Sequence, residues 1–236
     1  MQIEVVDHVA GATRARGIAL VIDVFRAFTV APHAVAAGAS RVMPVGAIED
    51  ALALRDVMPN AVLVGERHAR RLPGFDAGNS PTEILAVGVA GRPVVHTTHA
   101  GTQGLVNATG ADEVLTASLV NVSALVRYVK ARNPQHVTIV RMGHEARERC
   151  AEDDLCAEVL VALFNGGKPP TTAEARDRLR DAPAAVKFFD SEADWAPLTD
   201  FDYCTEVDRF DFVLRLRTGA DGRRELERID VPGAIA

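Results

Sequence analysis

Residues 62–83 read VLVGERHARRLPGFDAGNSPTE, and this segment points to both a fold class and a site. It begins with an apolar run of strand length and breaks at Gly65 into a polar loop that contains Glu66, Asp76, three arginines and a Gly-Asn-Ser-Pro turn. A long charged loop is costly to order unless it binds something. In open α/β sheets such loops follow the carboxyl ends of strands, where ligands bind. Carboxylates suit a hard cation such as Mg²⁺, and arginines and turn N–H groups suit phosphate or another oxyanion.

Outward from this segment, the first 165 residues repeat an apolar strand, a loop and an amphipathic helix. This alternation predicts an α/β fold with a mostly parallel sheet and helices on both faces, in three layers (α/β/α). The predicted strands are residues 17–22, 41–45, 61–64, 93–97, 113–116 and 136–140, and the predicted helices are residues 29–37, 48–58, 81–89, 101–108, 122–131 and 152–164.

The last third of the chain departs from this order. Residues 171–180 predict a charged helix, and residues 182–201 read as irregular and acidic. The alternation over residues 210–217 predicts a half-buried strand, with residues 224–231 pairing back as a C-terminal hairpin. We expect a single domain over 1–236, with a possible subdivision into a core, 1–168, and a C-terminal elaboration, 169–236.

Composition excludes several classes of protein. The 236 residues are 48% hydrophobic and 25% charged, and the net charge of −6 argues against nucleic acid as a partner. No apolar run approaches the roughly 20 residues of a membrane span, and the first residues lack the pattern of a signal peptide. The three cysteines fit no zinc spacing and are expected to be reduced thiols of a cytoplasmic protein.

Polar clusters follow several of the predicted strands. Asp23 and Arg26 come directly after the strand GIALVI, where an aspartate is a common metal ligand or nucleophile. The alternative is a helix-capping aspartate with a solvated arginine. Glu66 and Arg67 follow the strand of the opening segment, and residues 76–80 offer backbone N–H groups to an oxyanion. An internal ion-pair network is the alternative there.

Three further clusters have simpler alternatives. Thr98, Gly101 and Thr102 form a candidate phosphate cradle at a strand–helix junction, but such residues are also frequent helix caps. Asn121 is a candidate phosphate ligand, with capping of the following helix as the alternative. The acidic residues 152–154 lie in the first turn of a helix, where the helix dipole alone favours them. Phosphate-binding P-loop, GxGxxG and GxSxG motifs are absent.

Taken together, the motifs resemble the 2-phosphosulfolactate phosphatase family, which makes sulfolactate on the route to coenzyme M in methanogens. The motifs are IDVFRAFT (22–29), VGER (64–67), GFDAGNSPTE (74–83), TTHAGT (97–102) and EDDLCA (152–157). The resemblance implies an Mg²⁺-dependent phosphatase of α/β fold that acts on a small anionic phosphate ester. It implies neither a nucleic-acid nor a membrane partner, and it leaves a homodimer open.

The resemblance also implies roles for individual residues. Asp23, Glu66 and Asp76 are expected to supply the metal ligands, and the nucleophile is either metal-bound water or Asp23 itself. The turn at Ala100 lacks the asparagine of the family, and Gln103 replaces a common arginine. A catalytically impaired protein that binds a phospho-ligand is therefore the alternative. The expected catalytic residues are Asp23, Arg26, Glu66 and Arg67, and the expected phosphate-binding residues are Asn79, Ser80, Thr98, Gly101, Thr102 and Asn121.

Overall fold

The computed structural model describes residues 1–231 and 233, and it has the α/β architecture expected from the sequence. Its ten strands form two sheets, and most of the strand pairs are parallel. The strands are β1 (Gln2–Asp7), β2 (Ile18–Ile22), β3 (Arg41–Pro44), β4 (Val62–Arg67), β5 (Arg70–Arg71), β6 (Pro93–Thr97), β7 (Glu113–Ala117), β8 (His136–Arg141), β9 (Phe212–Thr218) and β10 (Arg224–Asp230).

The larger sheet has the order β1-β8-β2-β7-β9-β10. Strands β1, β8, β2 and β7 are parallel, whereas β9 pairs antiparallel with β7 and β10 pairs antiparallel with β9. The C-terminal hairpin expected from the sequence therefore extends this sheet at its edge. The smaller sheet has the order β3-β6-β4-β5, with β5 antiparallel to β4.

Within residues 1–231, ten α-helices connect the strands, with two short 3₁₀ turns at Leu119–Asn121 and Pro183–Ala185. The helices are α1 (His8–Ala12), α2 (Ala27–Ala36), α3 (Ile48–Val57), α4 (Pro81–Val87), α5 (Gly101–Asn107), α6 (Val122–Arg132), α7 (Ala151–Phe164), α8 (Thr172–Leu179), α9 (Val186–Phe189) and α10 (Leu198–Thr205). Within the described residues, none of these helices combines the length and the apolar character that crossing a membrane requires.

The central strands of the larger sheet are buried on both faces, whereas its edge strands β1 and β10 are partly exposed. In β2, Ile18, Leu20 and Ile22 point into a core shared with α6, α7 and the C-terminal helices, whereas Ala19 and Val21 point into a second core. That second core packs α1, α2, α4 and α5 between the two sheets, and a third core joins α3 to the outer face of the smaller sheet. A strand buried on both faces reads as a continuous apolar run, as GIALVI does.

Three features differ from the sequence-based expectation. The parallel strands divide between two sheets instead of forming one. The N-terminal residues form β1, which pairs with β8. Residues 182–201, expected to be irregular, contain α9 and the start of α10. The short, mixed pattern of β1 gave no clear period, and α9 is a single turn too short to show one.

Candidate active site

A narrow polar pocket lies where the carboxyl ends of strands from both sheets meet. Asp23 follows β2, Glu66 ends β4, and Asn79 precedes α4, while Glu152 and Asp153 enter from the first turn of α7. The cavity has a volume of about 70 Å³, well below the roughly 300 Å³ at the lower end for drug-sized ligands. Its size suits a metal ion and a small polar group.

Asp23 is buried at the centre of this pocket. Its Oδ1 accepts a hydrogen bond from the N–H of Ala27 at 3.1 Å, at the start of α2. Burial raises the pKa of Asp23 to about 6, and the negative charges of Glu66 and Glu152 act in the same direction. A Cβ on Gly101 would lie 2.7 Å from Asp23 Oδ2, so this close approach requires glycine.

Glu152 and Asp153 are the site residues whose role the sequence did not reveal. Asp153 accepts the N–H groups of Val24 (3.0 Å) and Gly143 (2.8 Å), and so fixes the loops that follow β2 and β8. Glu152 Oε2 is buried and has no hydrogen-bond partner among the described residues. Burial raises the pKa of both carboxyls, that of Asp153 well above its usual range. The helix dipole explains acidic residues in a first turn, but it does not explain their burial.

The pocket could hold a hard cation. Four buried carboxylates with little compensating charge are unfavourable unless they are protonated or bind a metal. Asp23, Glu66 and Glu152 are the residues that would supply oxygen ligands, and the orphaned Oε2 of Glu152 is a ready ligand atom. Asp153 lines the pocket as well. Its two oxygens each accept one backbone N–H, as those of Glu66 do, and a carboxylate oxygen with one hydrogen bond keeps a second lone pair for a metal.

Asp76 lies away from these three acids, which corrects the expectation that it is a metal ligand. Its Oδ2 accepts the N–H of Leu63 at 2.8 Å and pairs with Arg55. Arg67 also lies outside the pocket: its guanidinium donates to the carbonyl oxygen of Glu66 at 2.6 Å and to Thr97 Oγ1 at 3.2 Å. Asp76 thus belongs to an internal ion pair, the alternative considered for this loop, whereas Arg67 bonds only to neutral oxygens of β4 and β6 and of Gly46.

Arg26 lines the pocket, but its charge is paired with that of Asp200, which does not line the pocket. The peptide bond between Phe25 and Arg26 is cis. The Arg26 guanidinium pairs with Asp200 at 2.7 Å, and both side chains are buried, with exposures of 2% and 0%. Ser80 Oγ donates to the other oxygen of Asp200 at 2.9 Å. Ser80 is therefore a structural link and the cap of α4 rather than a pocket residue.

The other expected phosphate ligands divide in the same way. Asn79 lines the pocket, and its Oδ1 lies 3.1 Å from His96 Nε2. Thr98 and Thr102 do not line the pocket. The N–H of Thr98 donates to Thr102 Oγ1 at 3.0 Å, and the N–H of Thr102 donates to Thr98 Oγ1 at 3.1 Å. Asn121 is also remote from the pocket. Its side chain donates to the carbonyl oxygen of Phe212 at 3.2 Å, joining α6 to β9, and it makes no capping hydrogen bond.

Lys187, in α9, supplies a cation that sequence reasoning missed. Its half-buried side chain lines the pocket. Burial lowers the pKa of this ammonium, and the charge of Arg26 adds to the effect. Lys187 lies in residues 182–201, where no periodic pattern marked an element, so no signal in the sequence could have placed it in the pocket.

These features define a class of protein. An α/β chain places buried carboxylates, a lysine and an arginine around one small pocket at the ends of its strands. Such a pocket can bind a divalent cation together with an anion that carries several negative oxygens.

The chain belongs to the 2-phosphosulpholactate phosphatase family, whose model matches residues 4–219. It is 32% identical over 203 residues to a Bacillus subtilis protein described as a probable 2-phosphosulfolactate phosphatase, covering 85% of this chain and 87% of that relative. A Deinococcus radiodurans protein of the same description is 40% identical over 148 residues, which cover 62% and 61% of the two chains. A third, from Caldanaerobacter subterraneus, is 31% identical over 219 residues, with 85% and 88% coverage. The resemblance read from the motifs is confirmed, and the chain is a member of a family of phosphoric monoester hydrolases.

Proposed function

We propose that the protein is an Mg²⁺-dependent phosphatase that hydrolyses a small anionic phosphate monoester similar to 2-phosphosulfolactate. The observation that carries this proposal is the buried carboxylate cluster, with the unpartnered Oε2 of Glu152, beside Lys187 and Arg26. A buried cluster of this kind favours a divalent cation, and the adjacent charge of Lys187 favours a dianionic phosphoryl group.

Mg²⁺ held by Asp23, Glu66 and Glu152 would offset the negative charge of the ester and of its transition state. Lys187 neutralises further phosphoryl charge from α9. Burial lowers its pKa, and the negative charge of an incoming dianion acts in the opposite direction and favours the ammonium form.

Asn79 acts as a hydrogen-bond donor to the phosphoryl oxygens. Burial lowers the pKa of His96 to about 4, so its ring is neutral at pH 7. When His96 Nε2 carries the proton, it donates to Asn79 Oδ1 over 3.1 Å. The amide NH₂ of Asn79 is then left to donate into the pocket.

Asp23 has one of two roles in the displacement at phosphorus. Its carboxylate either attacks phosphorus directly, or it accepts the proton of an attacking water. Trapping of a covalent intermediate separates the two roles: attack by Asp23 expels the alcohol and forms a phospho-aspartate that borohydride reduces after a rapid quench, whereas direct attack by water expels the alcohol and forms no covalent intermediate.

The test of function is phosphate release from a panel of small anionic phosphate esters, with Mg²⁺ and with EDTA. We expect release that requires the metal and that Glu152→Gln lowers by about 100-fold or more. Asp154→Asn is the matched control, because Asp154 lies next in the chain but pairs with Arg141 and Arg149 instead of lining the pocket. It should stay within about threefold of the parent protein.

Release that persists in EDTA would refute the metal dependence. If no ester in the panel turned over while a phosphate ester still raised the melting temperature, the chain would be a binding protein of the same fold. We also propose that the activity is cytoplasmic, since Cys150, Cys156 and Cys204 are free thiols. If 2-phosphosulfolactate is the ester, the product belongs to the route to coenzyme M.

A further inference from the structure

Three loops bring His68, His99 and Glu145 together at the mouth of the pocket. His68 follows β4, His99 lies between β6 and α5, and Glu145 lies between β8 and α7. One ligand atom from each side chain lies within 4.8 Å of the others. His99 and Glu145 line the pocket, and the side chain of His68 is 72% exposed.

The contacts among the three side chains leave a nitrogen without a partner. His68 Nδ1 lies 2.5 Å from Glu145 Oε1, and the rings of His68 and His99 have centroids 5.2 Å apart at an angle of 72°. His99 Nδ1 is buried and has no hydrogen-bond partner among the described residues. A buried imidazole nitrogen is costly to leave unpaired, and a bound cation is one way to satisfy it.

Glu66 fixes the two histidine-bearing loops. Its Oε1 accepts the N–H of His99 at 2.8 Å, and its Oε2 accepts the N–H of Ala69 at 2.9 Å. His68 and Ala69 both have left-handed backbone conformations, with φ of 53° and 61°. Such conformations are unfavourable for residues other than glycine, so the surrounding contacts must hold this turn, and with it His68, in place.

We propose that His68, His99 and Glu145 form a site for a transition-metal dication such as Zn²⁺ at the mouth of the pocket, with ligands other than Asp23, Glu66 and Glu152. Imidazole nitrogens favour Zn²⁺ and its neighbours, whereas Mg²⁺ prefers oxygen ligands only. Two histidines and a glutamate make a common zinc ligand set, and tetrahedral bonds of about 2.0–2.1 Å place the ligand atoms roughly 3.3 Å apart. The turn fixes only the backbone of His68, so its exposed side chain can change rotamer and bring the three ligand atoms to this spacing.

A metal with three protein ligands keeps at least one open coordination position. Since His99 and Glu145 line the pocket, a ligand at that position lies at its mouth. The site is therefore suited to bind an oxyanion that projects from the pocket, beyond the group that the buried carboxylates and Lys187 receive.

The test is calorimetric titration of the full chain with Zn²⁺, in the presence of millimolar Mg²⁺ and without any ester. Because no substrate is present, the result is independent of phosphatase activity. We expect one equivalent of Zn²⁺ to bind, and His68→Ala and His99→Ala each to weaken this binding at least tenfold. Co²⁺ in place of Zn²⁺ should give visible absorption bands that both variants lose.

His136→Ala is the matched control, because His136 is exposed at the opposite end of β8 from the site. Circular dichroism and melting temperature establish that each variant is folded. The proposal is overturned if Zn²⁺ binds the His68 and His99 variants as tightly as the parent protein, or if His136→Ala weakens binding equally. Complete displacement of Zn²⁺ by Mg²⁺ would also overturn it, because the ion would then lie among the buried carboxylates.

Discussion

At the scale of single residues, Asp23 makes the stability of the metal-free protein depend on pH. Its pKa rises from 3.8 to about 6 on folding, chiefly because it is buried. A carboxyl whose pKa is raised stabilises the fold below its unfolded pKa, and that contribution is lost as the pH rises through the folded pKa. We expect the metal-free protein to melt roughly 5 °C lower at pH 7.5 than at pH 5.

Differential scanning calorimetry at the two pH values measures this difference. Mg²⁺ should remove most of it, because the cation stabilises the ionised carboxylates. Asp23→Asn should reduce the difference in the absence of metal, since an amide does not titrate in this range. A melting temperature that rises steadily from pH 5 to pH 7.5 without metal would contradict the assigned burial of these acids.

Substitutions of Lys187 test whether its positive charge contributes to catalysis. Its ammonium lines the pocket, so we expect Lys187→Met to lower kcat/KM by about 100-fold. Lys187→Arg should recover part of the loss because it restores the positive charge. The control is Lys168→Met, at an exposed lysine after α7, which should leave kcat/KM unchanged. Equal kinetics for the Met and Arg variants would exclude a role for the charge.

The sequence predicts some of these residues and not others. Asp23, Glu66 and Asn79 could be found because each lies beside a clear strand or helix start, where α/β sheets place their ligands. Lys187 and Asp200 could not, because they enter the site through tertiary packing of a segment without hydrophobic periodicity. The sequence predicts Asp76 as a metal ligand, because its position in a polar loop does not reveal that its side chain pairs with Arg55.

At the scale of elements, the side chain of Asp200 joins α10 to the starts of α2 and α4. It pairs with Arg26 and accepts hydrogen bonds from Ser80 Oγ and the N–H of Thr82. Breaking one side of a buried ion pair leaves an uncompensated charge, which costs about 3–5 kcal/mol. We therefore expect Asp200→Ala to lower the melting temperature by about 10 °C.

The matched control is Asp202→Ala on the same helix. Asp202 pairs with Arg176 at 2.8 Å, but the two side chains are 40–47% exposed, and solvent-exposed pairs contribute about 0–1 kcal/mol. Adding Arg26→Met to Asp200→Ala should restore part of the lost stability, because it removes the unpaired cation. Similar melting temperatures for the two aspartate variants would show that the contacts of Asp200 do not stabilise the protein more than an exposed ion pair does.

The helices and strands that the sequence predicts are those with a clear periodic pattern of apolar residues. The strand β2 and the helices α6 and α7 could be predicted because their apolar residues repeat over a full element. The division of parallel strands between two sheets could not, since β3, β6 and β4 carry the same apolar signal as the strands of the larger sheet. Which strands become neighbours is decided by the packing of the helices between them.

At the scale of the whole molecule, the C-terminal third is part of the main sheet. Strand β9 pairs with β7, and Asp200 neutralises the buried Arg26. A truncated chain of residues 1–168 should therefore fail to fold as an independent core. We expect it to lack a cooperative thermal transition, whereas the full chain melts in one step. A cooperative transition of the fragment in calorimetry would support the subdivision at residue 168 instead.

During synthesis, Arg26 emerges well before Asp200, so the buried ion pair between them can form only late. The two residues are separated by 174 positions, which at about 5–20 residues per second corresponds to roughly 10–35 s of synthesis. During that interval the guanidinium of Arg26 lacks its native partner, and β7 lacks β9. The pocket is thus completed only after Asp200 has been made, and a chain that stalls before Asp200 would hold an incomplete site.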